Sequence, residues 1–197
     1  MRDDLPTTEH SAAIVWDRPR GAEGKIDRRA ARTRRALLIA FIELVQERNY
    51  AAIGIGDIVA HADVGRSTFY SHFRSKDAVL LGSMQWMFEI LADCCLETAP
   101  REPVYELVEH FWSNRRLARI VLAPPIDRKL RRALTATIVD RIQRRPPKGG
   151  HANNAGLAAT AIAAAQLGLL EAWTRGDIAA PARQVGETII AMAAEVC

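Results

Sequence analysis

Arg66, Ser67, Thr68, Tyr70, Ser71 and His72 place six hydrogen-bond donors in seven consecutive residues, interrupted only by Phe69. Phe73 follows Phe69 by four, so on a helix the two rings share one side and the donors take the other. Arg66 adds a permanent positive charge. A short helix with an apolar back and a donor-rich front has the chemistry needed to enter a DNA major groove. There a planar guanidinium can bind both acceptors of a guanine and discriminate by about 1–3 kcal/mol. Just upstream, Ile55, Ile58 and Val59 give a second short helix its own apolar face. Residues 54–77 therefore read as two helices joined by a tight turn, the second helix spanning 66–73.

Such a pair needs a scaffold, and the flanking periodicity supplies one. Leu37, Leu38, Phe41, Leu44 and Val45 recur at helical spacing within a helix expected over 28–48. Arg28, Arg29, Arg32, Arg34 and Arg35 crowd its start, where each cation opposes the helix dipole by a few tenths of a kcal/mol, roughly. A phosphate nearby would relieve that cost. Asn49 is expected to end the helix in the left-handed conformation. Over 77–98 a further helix carries two apolar stripes, one of Leu80, Met84, Met87, Phe88, Leu91 and Cys95, the other of Val79, Trp86, Ile90 and Cys94. A helix apolar on two sides is buried between layers.

Beyond it, a helix over 103–122 turns Val104, Leu107, Val108, Phe111, Trp112, Ala118 and Val121 inward, and Pro124-Pro125 ends it. Leu130, Leu134, Ile138 and Ile142 mark the next, over 126–144, whose many arginines form a solvated face. Residues 145–154 form a loop. An alanine-rich helix over 155–175 (Leu157, Ile162, Leu169 and Trp173 inward) and a last helix over 181–196 (Val185, Ile189, Met192 and Val196 inward) complete an all-α chain.

Composition agrees with this organisation. Half of the 197 residues are apolar, enough for a substantial core. Net charge is −2 over residues 1–27, +4 over 28–77 and +2 over 78–197. The densest positive charge thus coincides with the donor-rich helix, as binding to a phosphate backbone requires. Residues 1–27 mix prolines, glycines and both charges and read as a flexible arm. No run of about 18 apolar residues and no signal-peptide core is present, and three cysteines make no disulfide framework, so a cytoplasmic location is expected.

Residues 30–80 resemble the DNA-binding domain of the TetR family of bacterial transcriptional regulators. The resemblance is carried by Asp57-Ile58-Val59, Ala62-Asp63-Val64, Ser67 to Phe73, and Ser75-Lys76-Asp77. It implies an arm over 1–27, a three-helix helix-turn-helix domain over 28–77 and a helical regulatory and dimerisation domain over 78–197. By matched positions, Arg66, Ser67 and Ser71 would face base edges, while Thr68, Tyr70, His72 and Lys76 would hold the DNA backbone. Helices 155–175 and 181–196 would pair with a second copy in a homodimer on an operator. Met84, Met87, Phe88, Phe111, Trp112 and Trp173 would line a pocket for an apolar or aromatic effector, and the regulator would be a repressor. Several positions depart from the family pattern: Gly54 and Gly65 stand at the two helix caps, Gly56 replaces a side chain that relatives use on a base, and Asp63 replaces the usual turn glycine. Asp tolerates positive φ.

Other classes fit these residues less well. Cys94-Cys95 raises a thiol-responsive regulator, but adjacent residues on a helix diverge by about 100° and bridge poorly. A ligand-independent regulator is a further alternative. A protein-interaction module that has lost operator binding would leave Arg66, Tyr70 and Lys76 without a purpose. No nucleophile elbow, phosphate loop, metal-ligand pair or carboxylate dyad points to an enzyme, and no cofactor or metal is implied.

Overall fold

The computed structural model describes residues 25–96, 99–144 and 154–196. Most of the expected arm, residues 1–24, and residues 145–153 of the expected loop lie outside them. Among the described residues the chain forms α-helices and one 3-10 turn. It divides into two compact units, Met1–Trp86 and Met87–Cys197.

The first unit holds α1 (Lys25–Glu47), the 3-10 turn Tyr50–Ala52, α2 (Ile55–His61), α3 (Arg66–His72) and α4 (Lys76–Ser83). Its core is the expected stripe of α1 (Leu37, Leu38, Phe41, Leu44, Val45) closed by Ile58 and Val59 of α2, Phe69 of α3, Phe73, and Val79 and Leu80 of α4. Each such side chain contributes about 1.5–3 kcal/mol through burial. Helix α4 packs on α1, so the unit extends past the boundary expected at residues 77 and 78.

Three local expectations change. First, α1 begins at Lys25, which places Arg32, Arg34 and Arg35 beyond the first turn, where the dipole penalty has faded. Second, Asn49 is extended (φ −61°, ψ 134°), not left-handed; its Oδ1 accepts from the Ala51 N–H at 2.9 Å and caps the 3-10 turn. A cap acceptor, and not a reversal of backbone hand, is what this junction needs. Third, the helix expected over 77–98 is interrupted at Met84, just after Gly82-Ser83, where the Ser83 hydroxyl donates to the Leu80 carbonyl at 2.7 Å. Gly/Ser pairs are a common cause of such breaks.

After the break come α5 (Gln85–Asp93), α6 (Glu102–Ser113), α7 (Arg115–Val121), α8 (Asp127–Arg144), α9 (Ala155–Arg175) and α10 (Ala182–Val196). The single helix expected over 103–122 is divided at Asn114, whose side-chain amide donates to the His110 carbonyl at 3.0 Å. The four residues Leu130, Leu134, Ile138 and Ile142 of α8 are all buried, as their spacing requires. Arg141 is not part of a solvated face: it bridges Glu89 at 2.6 Å and Asp93 at 3.1 Å on α5. Trp112 is 44% exposed and Leu157 66% exposed, against the inward positions expected of them. Leu169 and Met192 are half-buried.

Helix α9 is long and apolar enough to cross a membrane, by length and composition. Within the unit it packs against α8 and α10 through Ala159, Ile162, Ala163, Leu167, Leu170 and Trp173. Helix α10 approaches α6 closely because Gly186 has no side chain: a Cβ there would stand 2.8 Å from Tyr105 Cδ1. Gly186→Ala should therefore lower the urea unfolding midpoint by the equivalent of about 1–3 kcal/mol, although alanine is the better helix former. An unchanged or higher midpoint would show that the ring yields freely.

Candidate nucleic-acid interface

Helices α2 and α3 are joined by Ala62–Gly65, and Asp63 takes the positive φ (52°) that its type allows. Gly54 and Gly65 precede the two helices with ordinary negative φ. Neither is needed for backbone hand. At α2 half of a capping box survives: Asp57 Oδ2 accepts the Gly54 N–H at 2.7 Å, and Gly54 has no side chain to reciprocate. That N–H is the main reason the Asp57 carboxyl is held below its usual range, with Arg48 Nη1 at 3.2 Å assisting. Gly65 leaves the first-turn N–H groups of α3 without a side-chain cap.

Phe69 is fully buried beneath α3, and its ring meets Tyr70 edge-on, with centroids 5.4 Å apart. With the back of the helix anchored, the front is fixed. Arg66, Ser67, Tyr70 and Ser71 are exposed, and Tyr70 is 56% accessible. Thr68 and His72 are half-buried at the edges of that face. The Ser71 hydroxyl donates to the Thr68 carbonyl at 2.7 Å, which orients its lone pairs outward as acceptors. Arg28, Arg29, Arg32 and Arg35 of α1 are exposed as well. Arg34 is held back, its guanidinium 4.9 Å from the Phe73 ring centre.

Lys76 does not join the exposed row. Its ammonium donates to the Tyr50 carbonyl at 2.8 Å and the Ile53 carbonyl at 2.7 Å, and lies 4.4 Å from the Tyr50 ring centre. The Tyr50 hydroxyl in turn donates to Asp77. Burial, and then Asp77, push that hydroxyl well above the usual tyrosine value, so it stays protonated. The cluster ties the 3-10 turn to the start of α4. Sequence reasoning passed over Tyr50, because its partners are 26 and 27 residues away and no local pattern links them.

In the second unit, Met87, Phe88, Phe111 and Trp173 are buried core side chains, while Met84 belongs to the first unit. Trp112 stacks on Trp173 at 4.7 Å, Arg115 sits 5.3 Å from the Trp112 ring centre, and the Trp173 indole N–H donates to the Ala180 carbonyl at 2.9 Å. Gln166 is fully buried; its amide donates to the Leu91 carbonyl at 3.2 Å, and Oε1 finds no partner among the described residues. Cys94 is buried, and its thiol is pushed up to about 12 by burial and then by Asp93. A thiol so rarely ionised is a poor peroxide sensor. Among the described residues no group of three or more His, Cys, Asp or Glu side chains is placed to hold a metal ion.

Burial also lowers the His110 pKa. The folded state then favours the neutral ring, so the associated stability is present above the unfolded value of 6.5 and is lost as pH falls below it. Thermal unfolding followed from about pH 7 to about pH 5 should show a falling midpoint, and His110→Gln should flatten that fall. An identical slope in the variant would assign the acid sensitivity to other groups.

A buried-back, donor-fronted α3 joined to α2 by a tight turn is a helix-turn-helix arrangement. Residues 37–82 match the family of bacterial regulatory proteins described as the tetR family. An HTH-type transcriptional regulator of Bacillus subtilis, YxbF, is 38% identical over 85 residues, covering 42% of this chain and 22% of that protein. EthR of Mycobacterium tuberculosis, also an HTH-type transcriptional regulator, is 35% identical over 107 residues, covering 52% of this chain and 46% of that protein. The match thus spans less than half the length of either relative. A TetR transcriptional regulator from Streptococcus agalactiae shares the fold, with a TM-score of 0.53 at 24% identity over 86% of this chain and 97% of that one. The likeness to the tetR family is thus carried by residues 37–82, within the first unit.

Proposed function

We propose that the protein is a DNA-binding transcriptional regulator, a homodimeric repressor in which α3 reads the major groove. The observation that carries this is the row of exposed donors on α3, fixed by fully buried Phe69, inside the segment that matches the tetR family. Arg66, Ser67 and Ser71 meet base edges. Tyr70, Thr68, His72 and the exposed arginines of α1 hold phosphates. An apolar or aromatic effector acts through the second unit and must favour a spacing of the two α3 helices that does not fit DNA.

Pairing through α9 and α10 is supported by the face of α9 that its own unit leaves uncovered. Leu157, Ala161, Ala164, Ala165, Gly168 and Ala172 lie there at helical spacing, exposed or half-buried. A two-fold interface of small residues permits close helix approach. A Cβ on Gly168 would meet nothing within 4 Å among the described residues. Gly168→Arg should therefore leave the fold intact and convert the dimer to a monomer by light scattering; a persisting dimer would place the interface elsewhere.

The DNA test is a salt titration of the purified protein on the promoter beside its own gene. Tight binding that weakens steeply with salt, and is lost in Arg66→Ala and Tyr70→Phe, supports operator recognition. Binding indifferent to both substitutions, or no specific binding to that DNA or to any duplex selected from a random pool, overturns it.

A further inference from the structure

We propose that Gly56 is a specificity-determining residue: its missing side chain keeps open the space that the Arg66 guanidinium occupies over the start of α2. Gly56 is the second residue of α2, and its backbone does not take the positive φ that calls for glycine. A glycine in a helix weakens it relative to alanine. The surroundings supply the reason for its presence. A Cβ at this position would stand 3.3 Å from Arg66 Nη2. Apart from chain neighbours and its own helix backbone, nothing else among the described residues lies within 4 Å of that point. The space that glycine leaves is thus shared with one atom group, the exposed end of the best base-reading side chain.

The consequence is geometric. Arg66 lies at the first position of α3, and its guanidinium reaches back over α2 instead of standing straight out from α3. A bidentate contact to a guanine edge depends on the plane of that fork. A side chain at position 56 turns the fork or evicts it, and changes which base pair is preferred without touching the phosphate contacts. The inference rests on the DNA-reading role proposed above.

The experiment selects a preferred duplex from a random pool with the full-length protein. Competition binding then gives the preference ratio at each base pair. Arg66→Ala identifies the position that Arg66 reads, as the one where the ratio collapses. Gly56→Ala should lower the ratio there by about threefold and Gly56→Leu by about tenfold or more, within the span of one bidentate contact, while ratios elsewhere change little. In an Arg66→Ala background neither substitution should have a further effect at that position, because the group they displace is gone. Unfolding midpoints establish that the variants are folded, and Gly56→Ala should be at least as stable as the parent. An unchanged ratio in Gly56→Leu, or an equal loss with and without Arg66, overturns the inference and leaves operator binding standing. A selected operator with no position sensitive to Arg66→Ala overturns it through the role of Arg66. Failure of the parent protein to select any sequence overturns the DNA-binding function itself, and the inference with it.

Discussion

Lys76→Met should lower the unfolding free energy of the N-terminal unit by about 2–4 kcal/mol and leave the salt dependence of DNA binding unchanged. The first half follows from what the ammonium touches. It satisfies the Tyr50 and Ile53 carbonyls at 2.8 and 2.7 Å and sits over the Tyr50 ring. Charge-assisted hydrogen bonds are worth about 1.5–3 kcal/mol each, and partial exposure lets water recover some of that loss. The second half follows from the same geometry. An ammonium occupied by two carbonyls releases few counterions on binding, whereas removing one of the exposed cations, as in Arg28→Gln, should reduce the salt slope by about 0.9. Urea unfolding and a salt titration on the same variant decide the matter. Unchanged stability with a reduced slope would make Lys76 a phosphate ligand, as its position in the family pattern implies.

Trp173→Ala should cost the C-terminal unit about 3–5 kcal/mol, the range for emptying a buried aromatic site. Trp173 is buried to 1% exposure, stacks on Trp112 and donates its indole N–H to the Ala180 carbonyl, which ties α9 to the segment that starts α10. Trp112→Ala should cost far less, because that ring is half in solvent, and a double-mutant cycle should give a coupling of about 0.5–1.5 kcal/mol for the stacked pair. Near-UV circular dichroism offers a second readout, through loss of the paired-indole signal. If Trp173→Ala is nearly neutral, the ring lines a space that other side chains can refill, and the effector-pocket assignment for it gains ground.

Much of the architecture was legible because helices repeat within one turn. Phe69 and Phe73 four apart, and Leu130, Leu134, Ile138 and Ile142 at the same spacing, identify buried faces from local information alone, and all six are buried. The donor row of α3 could be read the same way, since fixing one face of a short helix fixes the other. Asp63 was legible from residue type, because few side chains accept positive φ. Leu157 and Trp112 were not, because an apolar side chain says nothing about which of two faces its helix buries. Asn49 was misread for a related reason: asparagine serves both as a left-handed terminator and as a cap acceptor, and the following turn decides between them.

By itself, then, the sequence determined the helical class, the helix-turn-helix segment and the exposed face of α3, each a property of residues within a few positions of one another. Tertiary structure alone decided the breaks at Met84 and Asn114, the withdrawal of Lys76 beneath the 3-10 turn, and the placing of Arg66 against Gly56. Those depend on which carbonyl, ring or vacant Cβ position stands opposite a side chain after folding. Partners 23 and 26 residues apart leave no periodic trace for a sequence to show.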